Sequence, residues 1–173
     1  MKIVMIHEIT SGVLKKDLSD FDIITFDDGL YTQYKNIEHF LKFKKPLYFS
    51  ISTSIVCPEN IEQSDEIIYC GDAHKKAFKG NFENYMTWKQ IQEISYISGC
   101  HISGHCNEHK RIKTFKEGIK DIKIMQQKFK EYNIKIEAFC YPYNYETPFV
   151  TYPVKAAGIS QFFGKERIAI ENI

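Results

Sequence analysis

The sequence predicts an α/β fold built on a parallel sheet. Short apolar, β-rich runs alternate with helical patterns along its 173 residues, an order typical of α/β architecture. Polar residues follow the ends of several predicted strands, and parallel α/β folds bind their ligands at that edge of the sheet. The length is that of one domain, so we expect residues 1–173 to form a single domain.

The first half of the chain carries the signals for three strands, one helix and a long loop. Strand 22–26 ends abruptly at an Asp-Asp-Gly turn, and the helix carries Ile37, Phe40 and Leu41 on one face. The predicted elements are strands 2–6, 22–26 and 46–52, helix 32–43, and a loop over 53–82 in which 66–70 is a candidate short strand.

The second half continues the alternation. Thr87 is the expected N-cap of one helix and Gly99 its stop. The longest helix has a single apolar stripe, formed by Phe115, Ile119, Ile122, Met125 and Phe129. The predicted elements are helices 87–98, 114–132 and 154–157, and strands 101–103, 134–139, 161–163 and 167–170.

Composition excludes several classes of function. The 23 basic and 22 acidic residues give a formal charge of +1, which argues against binding to nucleic acid or to anionic membranes. No run approaches the ~20 apolar residues that a membrane span requires, and no cleavage-site pattern follows the apolar N-terminus. The five cysteines are odd in number and form no C-x-x-C pair. We therefore expect free thiols and a cytoplasmic protein, with an intracellular substrate.

Two adjacent carboxylates, Asp27 and Asp28, follow a nearly apolar strand and precede a glycine. Adjacent side chains on an extended segment point in opposite directions, so a turn here can aim the two carboxylates at different targets. One carboxylate could then bind a metal while the other takes a proton. Taken alone, however, the triplet fits a surface turn better, because Asp-Gly is a common turn pair.

His105 and His109 are four residues apart, so on a helical turn both imidazoles share a face and can bind one ion. Exposed or buried structural histidines explain the pair alone equally well. The zinc-protease motif places Glu directly after the first His, whereas Cys106 stands there, and we assign Cys106 to packing. Asp28, His105 and His109 would form an open metal site, with Asp27 as the base for a bound water.

Five segments of the chain resemble, in the expected order, the polysaccharide deacetylases (carbohydrate esterase family four, the NodB-homology domain). Residues 25–29 (TFDDG) are similar to the first motif of that family, and 103–109 (SGHCNEH) to its H-x-x-x-H metal motif. Residues 86–91 (MTWKQI) resemble the lead-in to the second motif, 139–143 (FCYPY) the third motif, and 4–9 (VMIHEI) the first strand of many members.

The resemblance implies a fold, a reaction and a role for each site residue. It implies a distorted (β/α) barrel, incomplete because the chain is short for the family. It makes Asp27 the catalytic base and Asp28, His105 and His109 the ligands of a divalent metal, usually zinc. The backbone amide of Tyr143 would stabilise the oxyanion of the tetrahedral intermediate. The implied activity is removal of an acetyl group from an N-acetylated sugar or polysaccharide precursor.

The chain departs from the family pattern at three points. Cys140 stands where many members have an arginine that orients the base, and the D-x-x-D-W motif is absent. No histidine follows His109, so the usual late acid is missing, and 167–170 resembles the last strand of members that also lack it. His7, at the end of the first strand, is the best candidate for the acid, and the alternative is that Asp27 returns the proton itself.

Aromatic residues beside the third motif are candidates for sugar binding. Tyr141, Tyr143 and Tyr145 could line a cleft, and a purely structural role explains them equally well. Trp88 is assigned to the core. Two readings other than a sugar deacetylase stay open: a weakened relative that binds carbohydrate or metal without turnover, and an amide hydrolase with a non-sugar substrate. The oligomeric state cannot be read from the sequence.

Overall fold

The computed structural model describes residues 1–173, apart from the side chain of Asn172. Seven parallel strands form its framework, in the order β6-β5-β4-β3-β2-β1-β7. The strands are β1 (Ile3–Ile6), β2 (Ile23–Phe26), β3 (Leu47–Ile51), β4 (Cys100–Gly104), β5 (Ala138–Cys140), β6 (Gln161–Phe163) and β7 (Ile168–Ala169). The α-helices are α1 (Tyr31–Lys35), α2 (Ile37–Leu41), α3 (Cys70–Ala77), α4 (Trp88–Ser95), α5 (Phe115–Glu131) and α6 (Pro148–Ala156).

The strand order is that of an open barrel. Strands β1 to β6 follow one another in chain order, and β7 returns to pair with β1 on its free side. Within the described residues no ladder joins β6 to β7, so the barrel is not closed there. This confirms the predicted α/β class and the incomplete barrel. All carboxyl ends of the strands meet at one edge, which is where the candidate site lies.

Both faces of the sheet are buried. Alternate residues of each strand point to opposite sides, so each strand contributes side chains to both faces. Six residues pack together on one face: Ile3, Ile23, Tyr48, Ala138, Cys140 and Phe163. The opposite face contributes to the main core and packs against the helices. There the Phe26 ring of β2 lies between the rings of Phe49 and Phe40, with centroids 4.7 and 4.8 Å away.

The first half of the chain shows two corrections to the predicted elements. The helix expected over 32–43 is two short helices, α1 and α2, that meet at Asn36. The loop expected over 53–82 contains α3, and the candidate strand 66–70 is wrong because Cys70 begins this helix. The residues that α3 buries are Ala73, His74 and Ala77. Two alanines and a histidine give no apolar period, so the sequence pattern does not reveal the helix.

The second half contains a further correction in α5. Ile122, Met125 and Phe129 are buried as predicted, but Phe115 and Ile119 are 46% and 57% exposed. Helix α6 begins earlier than predicted, at Pro148, and approaches α5 at Gly118 and at the Phe115 ring, which lies 5.0 Å from that of Phe149. Elsewhere Thr87 caps α4 with a capping box, Gly99 adopts the left-handed φ of 84°, and Trp88 is buried.

Two findings bear on the expected environment of the protein. Among the helices that the structure describes, none has the length and apolar character needed to cross a membrane. The five cysteines are free thiols.

The contact between α5 and α6 depends on a glycine. A Cβ at Gly118 would lie 1.9 Å from the carbonyl oxygen of Phe149. Replacing an interior helical glycine by alanine ordinarily gains about 1 kcal/mol. Here the overlap outweighs that gain, and we expect Gly118→Ala to lower the free energy of unfolding by about 1–3 kcal/mol in urea titrations.

The matched control is Lys120→Ala, at an exposed position of the same helix, which should change stability by less than about 0.5 kcal/mol. A Gly118→Ala protein as stable as wild type would contradict the close packing of the two helices.

Candidate metal centre

Three strand ends deliver the predicted polar residues to one cleft of about 1050 Å³. His7 follows β1, Asp27 and Asp28 follow β2, and His105 follows β4. His109 comes from the same loop as His105, and all five residues line the cleft. The convergence follows from the parallel sheet, whose carboxyl edge gathers residues that are far apart in the chain.

The turn after β2 separates the two carboxylates. Asp28 and Gly29 both adopt left-handed conformations, with φ of 75° and 74°. The side chains of Asp27 and Asp28 therefore face different groups, as the sequence pattern predicted. The Asp28 Oδ1 atom lies 3.0 Å from His109 Nε2 and 3.3 Å from His105 Nε2.

The histidine pair is held by a loop and not by a helical turn, which corrects that part of the prediction. Cys106 and His109 adopt positive φ of 62° and 45°, so the segment cannot be helical. Asp121 of α5 fixes the loop by accepting hydrogen bonds from the backbone amides of Asn107 (2.7 Å) and Glu108 (3.3 Å). Burial raises the pKa of Asp121, opposed by these hydrogen bonds. Cys106 is fully buried, as predicted.

The residues around Asp28 fit a bound cation. Asp28, His105 and His109 are all buried, and among the described residues Asp28 Oδ1 has no partner with hydrogen-bond geometry. Nδ1 of His105 donates to the Cys140 carbonyl oxygen at 2.8 Å, which directs its Nε2 towards Asp28. Burial alone would raise the pKa of Asp28, but the neighbouring imidazoles hold it well below its usual value. A buried carboxylate among imidazole nitrogens is the donor set that zinc takes in proteins.

The structure adds a third imidazole, His74 of α3, which sequence reasoning missed. Its Nε2 atom lies 3.6 Å from Asp28 Oδ1, and its ring stacks on that of His109 with centroids 4.1 Å apart. Asp28, His74 and His109 each offer one ligand atom, and these atoms lie within 4.8 Å of one another. Burial lowers the pKa of His74 to about 4, so the ring is neutral.

Asp27 is held by a group that the sequence reading considered absent. The Arg167 guanidinium donates from Nη1 to Asp27 Oδ1 at 2.7 Å and to Thr25 Oγ1 at 3.1 Å. The Cys140 thiol donates to the other carboxylate oxygen at 3.4 Å. An arginine therefore supports Asp27, but it comes from the residue before β7 and not from the position of Cys140.

This pairing sets the charge of Asp27. Burial would raise the pKa of the Asp27 carboxyl, but the adjacent Arg167 guanidinium and the imidazoles of His105 and His7 lower it to about 2. Asp27 is therefore a carboxylate at neutral pH. Its second oxygen, Oδ2, faces His7 Nε2 at 3.9 Å.

His7 and Tyr143 both line the cleft. The His7 Nε2 atom lies between the two carboxylates, 3.9 Å from Asp27 and 4.0 Å from Asp28, and its side chain is partly exposed. Tyr143 has a left-handed backbone (φ 58°), and its ring lies against that of His109. Non-glycine residues in this conformation concentrate at functional sites.

The other two tyrosines lie away from the cleft. Tyr141 is 6% exposed, and its hydroxyl hydrogen-bonds to Thr151 Oγ1 at 2.6 Å, so it belongs to the packing of β5 against α6. Tyr145 is exposed and carries the Arg111 guanidinium 5.8 Å above its ring. Neither is among the described residues that line the cleft. The predicted sugar contact of this segment thus rests on Tyr143.

Comparison with known proteins gives a result at the level of structure only. No protein-family profile and no curated protein sequence matches the chain. IcaB from Ammonifex degensii is similar with a TM-score of 0.68 and 15% identity, over 98% of this chain and 92% of that one. A de-N-acetylase from Aggregatibacter actinomycetemcomitans is similar with a TM-score of 0.63 and 15% identity, over 93% and 76%.

A third solved structure supports the same fold. BC0361, a polysaccharide deacetylase from Bacillus cereus, is similar with a TM-score of 0.64 and 14% identity, over 95% of this chain and 57% of that one. This chain has the polysaccharide deacetylase fold. The open seven-stranded barrel is consistent with the polysaccharide deacetylase fold, and this fold agrees with the family that the motifs resemble.

The stability of the protein should depend on both partners of the buried ion pair between Asp27 and Arg167. Removing one partner of a buried ion pair costs about 3–5 kcal/mol, because a charge is left uncompensated. We expect Arg167→Met to lower the free energy of unfolding by about that amount in chelator-treated protein at pH 7. The double variant Asp27→Asn/Arg167→Met should lose less than the sum of the two single variants.

The pH dependence gives an independent check. Because the pKa of Asp27 is lowered to about 2, its stabilisation is fully present above pH ~4 and is lost as the pH falls through 2. This acid-linked loss should shrink in Arg167→Met and persist in Lys165→Met, a change at an exposed neighbouring position. Equal acid sensitivity in all three proteins would show that the ion pair does not control Asp27.

Proposed function

We propose that this protein is a metal-dependent deacetylase that removes an acetyl group from an N-acetylated sugar. The observation that carries the proposal is the division of labour between adjacent carboxylates. Asp28 faces the imidazoles, whereas Asp27 is turned to Arg167 and His7. A site that only binds metal has no need of a second buried carboxylate held beside the first.

Asp28, His105 and His109 would hold the ion, which we propose to be zinc. Bound there, a divalent cation lowers the pKa of a coordinated water to about 7 and polarises the acetyl carbonyl. Asp27, fixed through Oδ1 by Arg167, would accept a proton on Oδ2. The protein would therefore supply a base that is held in place by a hydrogen bond, in a site whose charged groups are already buried.

His7 would protonate the amine that leaves. Its Nε2 lies 3.9 Å from Asp27 Oδ2, so the acid and the base flank the same position in the cleft. The backbone amide of Tyr143, next to His109, would stabilise the oxyanion, which requires position and not side-chain identity. The alternative for the acid is that Asp27 itself returns the proton.

The shape of the cleft supports a sugar as substrate. Its volume of about 1050 Å³ exceeds that of a small amide, and Tyr69, Phe78 and Tyr143 line it while being 67%, 59% and 56% exposed. Exposed aromatic rings provide the flat apolar surfaces on which sugar rings stack. The intracellular substrate and cytoplasmic location expected from the unpaired cysteines stay predictions.

A relative that binds metal without turnover is the second candidate. One observation favours it: His74 stands 3.6 Å from Asp28, where a catalytic site normally leaves a position free. The arginine support that the sequence reading considered missing counts against it, since Arg167 holds the base in place.

Acetate release from N-acetylglucosamine oligomers tests the proposed reaction. Wild type should release acetate with zinc present and lose this activity after chelation. Asp27→Asn should retain the metal and lose about 10²–10⁴-fold in rate, because only proton transfer is removed. His105→Ala and His109→Ala should instead lose the metal itself, as measured by elemental analysis.

Two results would contradict these assignments. Loss of metal in Asp27→Asn would mean that the roles of the two carboxylates are reversed. Full metal content with no acetate released from any sugar, but turnover of a simple acetamide, would support the non-sugar amide hydrolase.

His7 is tested by its effect on rate at constant metal content. We expect His7→Gln to lower the rate about 10²-fold or more and to remove the alkaline limb of the pH–rate profile, because that limb reports the acid. His101→Gln, a histidine on β4 that pairs with Glu137, is the control and should behave as wild type. A normal rate in His7→Gln would leave Asp27 as both base and acid.

A further inference from the structure

The motif resemblance gives Asp28 two imidazole neighbours, but the structure places three around its Oδ1 atom. His74 is 7% exposed, and its Nε2 has no hydrogen-bond partner among the described residues. It belongs to α3, outside every segment that carries the family resemblance. A buried imidazole nitrogen that faces a buried carboxylate oxygen at 3.6 Å requires an explanation.

Four distances among these atoms agree with the edges of a tetrahedron around an ion. Ligand atoms about 2.0–2.1 Å from a tetrahedral zinc lie about 3.3 Å from one another. Asp28 Oδ1 lies 3.0, 3.3 and 3.6 Å from Nε2 of His109, His105 and His74, and the Nε2 atoms of His105 and His109 are 3.0 Å apart. The distance from Asp28 Oδ1 to His74 exceeds the tetrahedral value of about 3.3 Å by as much as the distance to His109 falls short of it.

The hydrogen bond on the far side of the ring fixes the chemistry of His74. Its Nδ1 lies 2.8 Å from the Cys70 carbonyl oxygen, which can only accept, so Nδ1 carries the proton. Nε2 is then the ring nitrogen left to bind a cation, and it faces the buried Asp28 oxygen. His105 shows the same arrangement, with its Nδ1 donating to the Cys140 carbonyl, and ligating histidines are ordinarily oriented in this way.

His74 and His7 lie against different oxygens of Asp28. His74 faces Oδ1 together with His105 and His109, whereas His7 faces Oδ2 at 4.0 Å and Asp27 at 3.9 Å. The side that faces Asp27 is therefore left to the proton donor. Helix α3 is fixed by the bond from the Cys70 amide to Glu8 Oε1 (2.5 Å) and by a small cluster that includes Ala73, Ala77 and Tyr85.

We propose that His74 is a fourth protein ligand of the ion, beside Asp28, His105 and His109. The inference rests on the metal site of the proposed function and adds to it. A fourth protein ligand would take a position that water or substrate otherwise occupies, so turnover would require His74 to withdraw or the ion to accept a fifth ligand.

Metal affinity is the first test and requires no turnover. Zinc binding is measured by competition with a chromogenic chelator for wild type, His74→Ala and His74→Gln, with His101→Gln as the control. Loss of the ligand should weaken zinc binding at least ~10-fold in both His74 variants and leave His101→Gln unchanged. Circular dichroism of the metal-free proteins verifies that α3 and the barrel remain folded, and His74→Gln preserves the volume of the side chain should His74→Ala disturb α3.

Cobalt substitution reads the coordination number directly. Wild type with Co²⁺ should show the intense visible absorption of a four-coordinate site, and both His74 variants should shift to the weak absorption of higher coordination as waters enter. Equal zinc affinity and an unchanged cobalt spectrum in the two His74 variants would overturn the role of His74 alone. Failure of wild type to bind either metal would overturn this inference together with the metal site of the proposed function.

Discussion

The constraint on which the site depends is the burial of two adjacent carboxylates at the edge of a parallel sheet. Asp27 and Asp28 are each 2% exposed, and an isolated buried carboxylate is too costly to remain ionised without a partner. The structure compensates the two charges in different ways. Asp27 receives a guanidinium from Arg167, whereas Asp28 Oδ1 is surrounded by imidazole nitrogens, of which His109 Nε2 lies 3.0 Å away. The chemistry of the site follows from this asymmetry.

The same constraint explains the supporting bonds around the site. Gln33 donates from Nε2 to the backbone carbonyls of Asp27 (2.6 Å) and His7 (2.9 Å), which ties the ends of β1 and β2 together. Ser52 donates to the His105 carbonyl at 2.6 Å, and Asp121 holds the loop that follows. These contacts fix the backbone at the strand ends. The distances between the carboxylates and the imidazoles are therefore set largely by the backbone.

The sequence predicts the parts of the site that are local in the chain. The strands are recognisable because they are largely apolar runs. Asp27, Asp28 and His105 follow them directly, and His109 lies in the loop after β4. Their meeting at one edge is then a consequence of the parallel sheet. His7 could be proposed by the same argument, since it also ends a strand.

The remaining parts come from elements with no local signal. Arg167 contacts a residue 140 positions away, and in the sequence it is one more basic residue before a short strand. Asp121 sits on a helix whose apolar stripe says nothing about its polar face. His74 lies on α3, which buries alanines and so has no amphipathic pattern. Of the departures expected from the motifs, the missing arginine is made good by a residue of this kind, Arg167.

The position of α3 links two properties of the site that would otherwise be separate. This helix carries His74 at the metal centre, and the exposed rings of Tyr69 and Phe78 flank its two ends at the lip of the cleft. A metal site gains affinity from each added protein ligand, but catalysis requires an open position. Because the lip and the third imidazole belong to one helix, a substrate that contacts these rings would act on the same helix that carries the proposed fourth ligand.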